Sequence, residues 1–166
     1  MELSEEVLIA LRQIIHATAL HSRYLVKKIG LTGPQLLILS RLSHKELKSV
    51  GEIAREVSLS QATVTDNLDR IELSGLVSRK RSPDDKRRTT VKLTEKGVDV
   101  QRNKPLLLQE QFLKSFSALD KWEQTAILSS LQRVATMMKA DAIIVPPVLD
   151  IGPIPKADEE DDMIPE

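Results

Sequence analysis

The sequence has no cysteine, and this absence excludes several kinds of site. Without a thiol, none of the 166 residues can form a disulfide framework, a Cys-x-x-Cys metal site or a redox switch. Aromatic residues are also scarce, because the chain has two Phe besides Tyr24 and Trp122. A core must therefore be built from Leu, Ile, Val and Ala, which favours helices over a β-sandwich.

Long apolar runs are missing as well, and no targeting segment is expected. Apolar runs such as residues 36–39 and the proline-broken 143–149 are far short of the ~20 residues that cross a bilayer. Residues 1–6 are acidic where a signal peptide would be basic and then apolar. We expect a cytoplasmic protein with no membrane partner.

The charge is balanced overall but unevenly distributed. Residues 145–166 carry seven acids and one base, a formal charge of −6, whereas residues 1–144 carry 23 bases and 17 acids, a charge of +6. The chain length is typical of one domain. We therefore expect a basic globular domain over 1–144 and a tail over 145–166 that is first proline-rich and then acidic.

Apolar residues recur at helical spacing from Ser4, the predicted N-cap, to Gly30. A helix of about seven turns exceeds what the core of a small domain needs, so part of it is expected to pack on a second subunit. A second helix is predicted after Thr32. A third, short helix begins at Ser49, which has capping-box spacing to Glu52.

Residues 50–65 predict a short helix, a three-residue turn and a second helix capped by Ser60, which is the spacing of a helix-turn-helix. The second helix buries Val64, Leu68 and Ile71 by its periodicity and ends at Gly75. The opposite face, which includes Ala62, Asp66 and Asp69, is expected to point away from the core.

Two β-prone segments follow, at 76–81 and 89–93, with a turn-rich stretch between them. They predict a hairpin with a long tip. Thr94 then starts another long helix, expected to run to about residue 119 with a kink at Pro105, and Asp120 caps a final helix. The predicted fold is mainly α with a small β wing: a winged helix-turn-helix at about 33–97, flanked by long helices at about 4–30 and 94–144.

The hairpin is strongly basic. Residues 79–96 contain eight bases and three acids, a local charge of +5. Such a hairpin repels itself unless a polyanion lies beside it. Double-stranded DNA is therefore the expected partner, and a solvated charged turn is the alternative interpretation.

The hairpin sequence also carries a resemblance. Gly-Leu-Val-Ser-Arg at 75–79, followed by Asp-Asp-Lys-Arg-Arg-Thr-Thr-Val-Lys-Leu-Thr-Glu-Lys-Gly at 84–97, matches a wing pattern of Asp-x-Arg and then Val-x-Leu-Thr-x-x-Gly. Over about 4–144 the chain resembles the MarR family of bacterial transcription regulators. The resemblance implies a homodimer built from the N- and C-terminal helices. It also implies that Arg87 enters a minor groove while Asp85 stabilises the wing tip.

Residues of the second helix of the helix-turn-helix suit base edges in the major groove. Gln61 can bridge an adenine, Ala and Thr methyl groups can contact a thymine methyl, and Asp66 can accept from a cytosine. Asp66 and Arg70 could instead form an ion pair on the helix surface. The residues predicted to contact DNA are Ser60, Gln61, Ala62, Thr63, Thr65, Asp66, Arg70, Arg79, Lys86, Arg87 and Arg88.

The resemblance further implies a small-molecule effector bound between the dimer helices and the winged helix. The candidate pocket residues are His16, His21, Tyr24 and Gln35. Residues 20–23 and 30–36 look like a branch associated with compatible-solute operons, and the lack of cysteine excludes the peroxide-sensing branch. No metal site or cofactor is expected, because the three histidines lack ligand spacing.

The sequence thus predicts a homodimeric repressor that binds a pseudo-palindromic operator and is released by a small molecule or a stress signal. The alternative is a winged-helix module that binds protein without DNA. An enzyme is not expected, because no nucleophile with a neighbouring base and no glycine-rich phosphate loop is present. The acidic end at 156–166 is expected either to compete with DNA for the wing or to act as a solubilising tail.

Overall fold

The fold is that of a computed structural model, which describes residues 2–81, 89–140, 143, 148 and 149. Within these residues the chain forms seven helices and three strands. In chain order they are α1 (Leu3–Ile29), α2 (Gly33–Ser40), β1 (Lys48–Ser49), α3 (Val50–Val57), α4 (Gln61–Leu73), β2 (Val77–Arg81), β3 (Thr89–Leu93), α5 (Glu95–Arg102), α6 (Leu108–Ser117) and α7 (Lys121–Met137).

Local capping determines where the helices of the winged helix begin. The hydroxyl oxygens of Ser49, Ser60 and Thr94 each accept a hydrogen bond from the backbone N–H three residues further on, at 3.3, 3.0 and 3.1 Å. These bonds satisfy donors that the first turn of a helix leaves without a partner. All three N-caps are those expected from the sequence.

The first helix begins slightly earlier than predicted. Glu2, not Ser4, occupies the N-cap position of α1, and the Ser4 hydroxyl donates to the Glu2 carboxylate at 3.4 Å instead. The predicted end at Gly30 is confirmed: its φ of 70° is left-handed, a conformation that favours glycine because a Cβ is strained there.

The single long helix predicted from Thr94 to about residue 119 is wrong. Helix α5 ends at Arg102 and α6 starts at Leu108, so Pro105 lies in a break and not in a kink. Proline removes a helical hydrogen bond and disfavours helical backbone in the residue before it, and here both effects end the helix.

The three strands form one antiparallel sheet in the order β1-β3-β2. In the hairpin, Val77 pairs with Leu93 and Arg81 with Thr89, which confirms the two predicted strands. Strand β1 was not predicted, because two residues are too few to show the alternation that identifies a strand.

The core belongs to the winged helix. Val64, Leu68 and Ile71 are fully buried, as predicted. They pack with apolar side chains of α2, α3 and the sheet, among them Leu36, Ile38, Leu39, Ile53, Val91 and Leu93.

The long outer helices contribute little to this core. Helix α1 buries Thr18 and Leu25, and neither α6 nor α7 buries a residue. Their larger apolar side chains are exposed: Leu3, Val7, Leu8, Ile14, Ile15, Leu20 and Val26 in α1, Phe112 and Leu113 in α6, and Trp122, Ile127, Leu128, Leu131 and Met137 in α7. No helix in the described ranges is long and apolar enough to cross a membrane.

Candidate nucleic-acid interface

The first turn of α4 is held in place by its own side chains. The Ser60 and Thr63 hydroxyl oxygens lie 2.8 Å apart, and the Thr65 hydroxyl donates to the Gln61 carbonyl at 2.8 Å. Gln61, Ala62 and Thr63 are exposed, and Thr65 is half-buried. This turn therefore presents preorganised polar and methyl groups on the surface of the winged helix.

One turn further on, Asp66 and Arg70 are both exposed. Among the residues that the structure describes, no ion pair joins these two side chains, so the alternative interpretation of Asp66 gains no support. The acids of α4 that are paired are Asp69, whose carboxylate lies 2.7 Å from the Arg79 guanidinium, and Glu72, 3.4 Å from it.

A cleft of about 680 Å³ runs beside α4, between the start of α3 and the start of β3. Gln61 and Thr65 line one side of it, and Arg55 and Thr89 lie in the same cleft. The Gln61 amide nitrogen would be 3.4 Å from a Cβ added at Gly51, so its side chain lies across the first turn of α3.

Arg55 and Thr89 are absent from the residues predicted to contact DNA. Arg55 is exposed, and its Nε donates to the Gly51 carbonyl at 3.3 Å. The prediction used the second helix of the helix-turn-helix, Arg79 and the hairpin tip, and it did not consider the first helix or β3. In the sequence, an arginine among the apolar residues of the first helix was the signal that could have identified Arg55.

Arg79 lies between β2 and α4 and not on the open surface. Its Nη2 contacts Asp69 and donates to the Thr65 carbonyl at 3.2 Å, while its Nε lies 3.4 Å from a Glu72 carboxylate oxygen. The side chain is 19% exposed. This arrangement favours a positioning role for Arg79 over the predicted contact with DNA, because a phosphate would have to displace two carboxylates.

The base of the hairpin is described and its tip is not. Lys80 and Arg81 are exposed at the end of β2, and the Thr90 hydroxyl donates to the Lys80 carbonyl at 3.1 Å. The ammonium of Lys96 donates to the Ser74 carbonyl at 3.0 Å, near the end of α4. The predicted tip residues Asp85, Lys86, Arg87 and Arg88 lie outside the described residues.

The four candidate pocket residues are not all neighbours. His21 Nε2 accepts a hydrogen bond from the Leu108 N–H at 3.0 Å, and its ring centroid is 6.2 Å from that of Tyr24. Gln35 is buried, and its Oε1 accepts from the Thr32 N–H at 3.0 Å as part of the α2 cap. His16 lines an apolar groove on α1 with residues such as Ile9, Arg12, Ile15 and Leu20.

His21 therefore joins α1 to the first residue of α6, next to an ion-paired cap. Burial acts to raise the pKa of Glu110, but its hydrogen bonds from the Leu107 N–H and Lys104 outweigh burial and hold that pKa below its ordinary value. In the described part of the chain no group of three His, Asp or Glu side chains could hold a metal ion.

Comparisons with known proteins agree on one family. The MarR family profile matches residues 31–89. The chain is 32% identical over 100 residues to the uncharacterized transcriptional regulator YdgJ of Bacillus subtilis, which is 60% of either chain. It is 38% identical over 74 residues to the organic hydroperoxide resistance regulator of B. subtilis, 45% of this chain and half of that one. The chain thus spans 60% or less of the length of these two relatives.

Solved structures show the same fold at lower identity. A Lactococcus lactis ZitR mutant aligns with a TM-score of 0.62 at 21% identity, covering 83% of this chain and 99% of that one. MepR of S. aureus, solved as a DNA complex, aligns with a TM-score of 0.57 at 20% identity, covering 78% and 96%.

A further relative extends the sequence match beyond the winged helix. The transcriptional regulator MhqR of B. subtilis is 30% identical over 97 residues, covering 58% of this chain and 67% of that one. Together with the profile match and the shared fold, this similarity shows that the chain belongs to the MarR family.

Proposed function

We propose that the protein is a sequence-specific DNA-binding transcriptional regulator that acts as a homodimeric repressor on a pseudo-palindromic operator. The observation that carries the proposal is the exposed first turn of α4, fixed by Ser60 and adjoining a hairpin of charge +5. The relatives are named transcriptional regulators, and MepR was solved as a DNA complex. Such a regulator acts where the chromosome lies, in the cytoplasm.

In this proposal α4 reads bases in the major groove. Gln61 can bridge N6 and N7 of adenine, and the methyl groups of Ala62 and Thr63 can contact a thymine methyl. The Thr65 hydroxyl donates its hydrogen bond to the Gln61 carbonyl. Its methyl group and an oxygen lone pair therefore stay available to contact DNA. Asp66 has the chemistry to accept from N4 of cytosine.

Basic side chains around α4 are proposed to contact the DNA phosphates. Arg55 in the adjoining cleft, Arg70 on α4 and Lys80 and Arg81 on β2 are exposed on the described surface. We infer that Ser60 also reaches phosphate. Lys86, Arg87 and Arg88 extend this basic surface in sequence, with Arg87 in the minor groove and Asp85 stabilising the tip.

The homodimer is proposed from the unpartnered apolar faces of α1, α6 and α7. Residues such as Leu8, Phe112 and Leu131 are about half exposed although their helices run for several turns. A second copy of the chain would cover them, as expected for a helical dimer interface. A two-fold dimer presents two α4 helices to successive major grooves, with half-sites about 10 bp apart.

A small-molecule effector is proposed to act near His21 and Tyr24. His21 Nε2 accepts from the first N–H of α6, so a ligand that donates to the same nitrogen would compete with the α1–α6 contact. His16 and Gln35 stay candidates from the sequence, although Gln35 already caps α2. Ectoine and glycine betaine are the first compounds to screen, because of the resemblance at residues 20–23 and 30–36. Of the two, only ectoine has N–H groups that could donate to His21, so only ectoine fits this mode of competition.

Binding to DNA is tested by selecting duplexes from a random pool with the purified protein and then measuring fluorescence anisotropy. Gln61→Ala should change the preferred base at one position of each half-site, with a cost of about 1–3 kcal/mol for the original base. Arg87→Ala should weaken binding to every duplex that contains the minor-groove step.

Arg102→Ala provides the matched control, because it removes one exposed arginine from the last turn of α5. Its affinity for the selected duplex should equal that of the unsubstituted protein. If the unsubstituted protein binds no duplex at about 50 mM salt, this result would contradict the proposal and support a winged-helix module that binds protein.

A further inference from the structure

We propose that Arg79 is a positioning residue for DNA binding, which fixes α4 against the sheet and neutralises Asp69 without contacting DNA itself. The proposal rests on the proposed function and assigns one residue a role within it. Arg79 belongs to β2, and the groups that it contacts belong to α4.

The guanidinium of Arg79 engages α4 at three points along the helix. Its Nη2 lies 2.7 Å from Asp69 Oδ1 and donates to the Thr65 carbonyl at 3.2 Å, and its Nε lies 3.4 Å from Glu72 Oε2. The Arg79 backbone N–H also donates to Glu72 Oε1 at 3.1 Å. Positions 65, 69 and 72 fall on one side of a helix, so rotation or sliding of α4 would break all of these contacts.

The strand side of this connection is anchored in the core. Arg79 pairs with Val91 of β3, and Val91 is fully buried. The Arg79 side chain is 19% exposed, whereas the side chains of Asp69 and Glu72 are 56% and 40% exposed. The guanidinium therefore lies deeper in the protein than the two carboxylates. In that place it can hold α4 in a fixed position relative to the sheet.

The charge of Asp69 gives Arg79 a second effect on DNA. By helical periodicity Asp69 lies on the same side of α4 as Ala62 and Asp66, the side proposed to face the major groove. An unpaired carboxylate there would repel the phosphates. Because the Arg79 guanidinium is at ion-pairing distance, it reduces this repulsion although it does not itself reach the DNA.

The competing assignment is a direct contact between Arg79 and a phosphate. Each phosphate contact that is lost should lower the slope of log K against log salt by about 0.9. A positioning residue should leave that slope unchanged while it reduces the discrimination between specific and nonspecific DNA. Asp69 provides the second discriminating measurement, since a positioning effect depends on it and a phosphate contact does not.

The experiment compares Arg79→Met, Arg79→Lys, Asp69→Asn and the double variant Arg79→Met with Asp69→Asn. The probes are the best 20-bp duplex that the unsubstituted protein selects from a random pool and a scrambled duplex of equal composition. Anisotropy titrations at several salt concentrations give the affinities and slopes. Circular dichroism at the assay temperature confirms that each variant is folded.

We expect Arg79→Met to weaken binding to the selected duplex about tenfold and to the scrambled duplex about twofold or less, with no change in slope. In the Asp69→Asn background the same substitution should weaken binding to the selected duplex about threefold or less. Arg79→Lys should restore little of the discrimination, because one ammonium cannot replace both Nη2 and Nε, which contact Asp69 and Glu72 separately.

An equal loss in both backgrounds with a slope lowered by about 0.9 would overturn the proposal in favour of a phosphate contact. Full recovery by Arg79→Lys would also overturn it, because charge without fork geometry would then suffice. If Arg79→Met does not fold, the salt slope and the discrimination of Arg79→Lys and Asp69→Asn still test the proposal. Failure of the unsubstituted protein to bind any duplex is a different result, which contradicts the proposed function.

Discussion

Ser60 connects stability and recognition at the scale of a single residue, because its hydroxyl both caps α4 and contacts Thr63. Ser60→Ala removes the acceptor for the Thr63 N–H, and we expect the free energy of unfolding to fall by about 1 kcal/mol. Urea denaturation followed by circular dichroism measures the change.

Ser4→Ala is the matched control for this loss of a serine hydroxyl. Ser4 lies in the first turn of α1, where its hydroxyl donates to the exposed Glu2 carboxylate at 3.4 Å and caps no backbone N–H. Its substitution should change stability by less than about 0.5 kcal/mol. Equal losses in the two variants would show that the Ser60 cap does not stabilise α4.

Glu110 makes the stability of the fold depend on pH. Its pKa is lowered in the folded state by the Leu107 N–H and Lys104, against the effect of burial. A lowered pKa adds stability that is complete above the ordinary glutamate pKa of about 4.3 and is lost as the pH falls through the lowered value. Glu110→Gln removes this contribution, so the stability gap between the two proteins should narrow as the pH falls below about 4.

Urea midpoints measured from about pH 6 to pH 3 follow that gap. Glu5→Gln, which removes a carboxylate from the first turn of α1, accounts for the general effect of one lost charge. A gap between unsubstituted protein and Glu110→Gln that stays constant over this pH range would show that the α6 cap does not depend on ionised Glu110.

At the residue scale the sequence predicted the groups whose role is local. Ser49, Ser60 and Thr94 cap helices within three residues of themselves, and such spacing is visible in a sequence. The contacts that Arg79 makes with α4 were not predicted, and its contact with DNA stays a prediction. Arg79 contacts residues up to fourteen positions away, and such a contact depends on how β2 packs on α4.

Among the structural elements, the contact between α5 and the chain entering β2 leaves no room for a side chain at Gly97. A Cβ there would collide with the Leu76 carbonyl oxygen and would lie 3.2 Å from Leu93. Since backbone cannot move aside cheaply, Gly97→Ala should lower the free energy of unfolding by about 1–3 kcal/mol. Thermal and urea unfolding measure this loss.

Gly51→Ala is the control, because it makes the same substitution inside α3. Its Cβ would meet only the end of the Gln61 side chain, at 3.4 Å, and alanine favours helix by about 0.5–1 kcal/mol. We expect unchanged or higher stability. A loss at Gly51 as large as that at Gly97 would contradict the steric explanation.

The elements that the sequence predicted well are those with periodic burial and clear ends. Helix α4 shows the predicted burial, since Val64, Leu68 and Ile71 are completely covered, and the hairpin strands pair with each other as predicted. The break at Pro105 was predicted as a kink, because proline allows both outcomes and the choice depends on packing beyond the helix. Strand β1 exists only through its pairing with β3, in which Lys48 pairs with Val91 and Ser49 with Thr90, contacts between residues far apart in the chain.

For the whole molecule, the exposed apolar side chains of α1, α6 and α7 predict a homodimer. Leu131 of α7 is 47% exposed, and a glutamate there would place a charge in the proposed interface. Leu131→Glu should shift the sedimentation coefficient from dimer to monomer and weaken binding to a two-half-site duplex.

Leu47→Glu is the control, because Leu47 is 49% exposed but precedes β1 in the winged helix. This variant should sediment as a dimer. A monomeric unsubstituted protein, or a dimer unaffected by Leu131→Glu, would place the interface elsewhere.

The basic body of the chain and the wing motif predicted a winged helix-turn-helix protein of the MarR family. The fold and the family match confirm this prediction. The proposed dimer depends on surfaces that become visible only when the exposed face of α7 is known. The long helix predicted at 4–30 pointed to the proposed interface, because its apolar stripe exceeds what the winged helix can cover.

The central claim is that a dimer places α4 of each subunit in successive major grooves of one operator. Hydroxyl-radical footprinting on the selected duplex, combined with guanine and adenine methylation interference, tests it most directly. We predict two symmetric protected half-sites about 10 bp apart, with interference at N7 atoms of the major groove in each. A single protected segment, or protection without major-groove interference, would contradict the account.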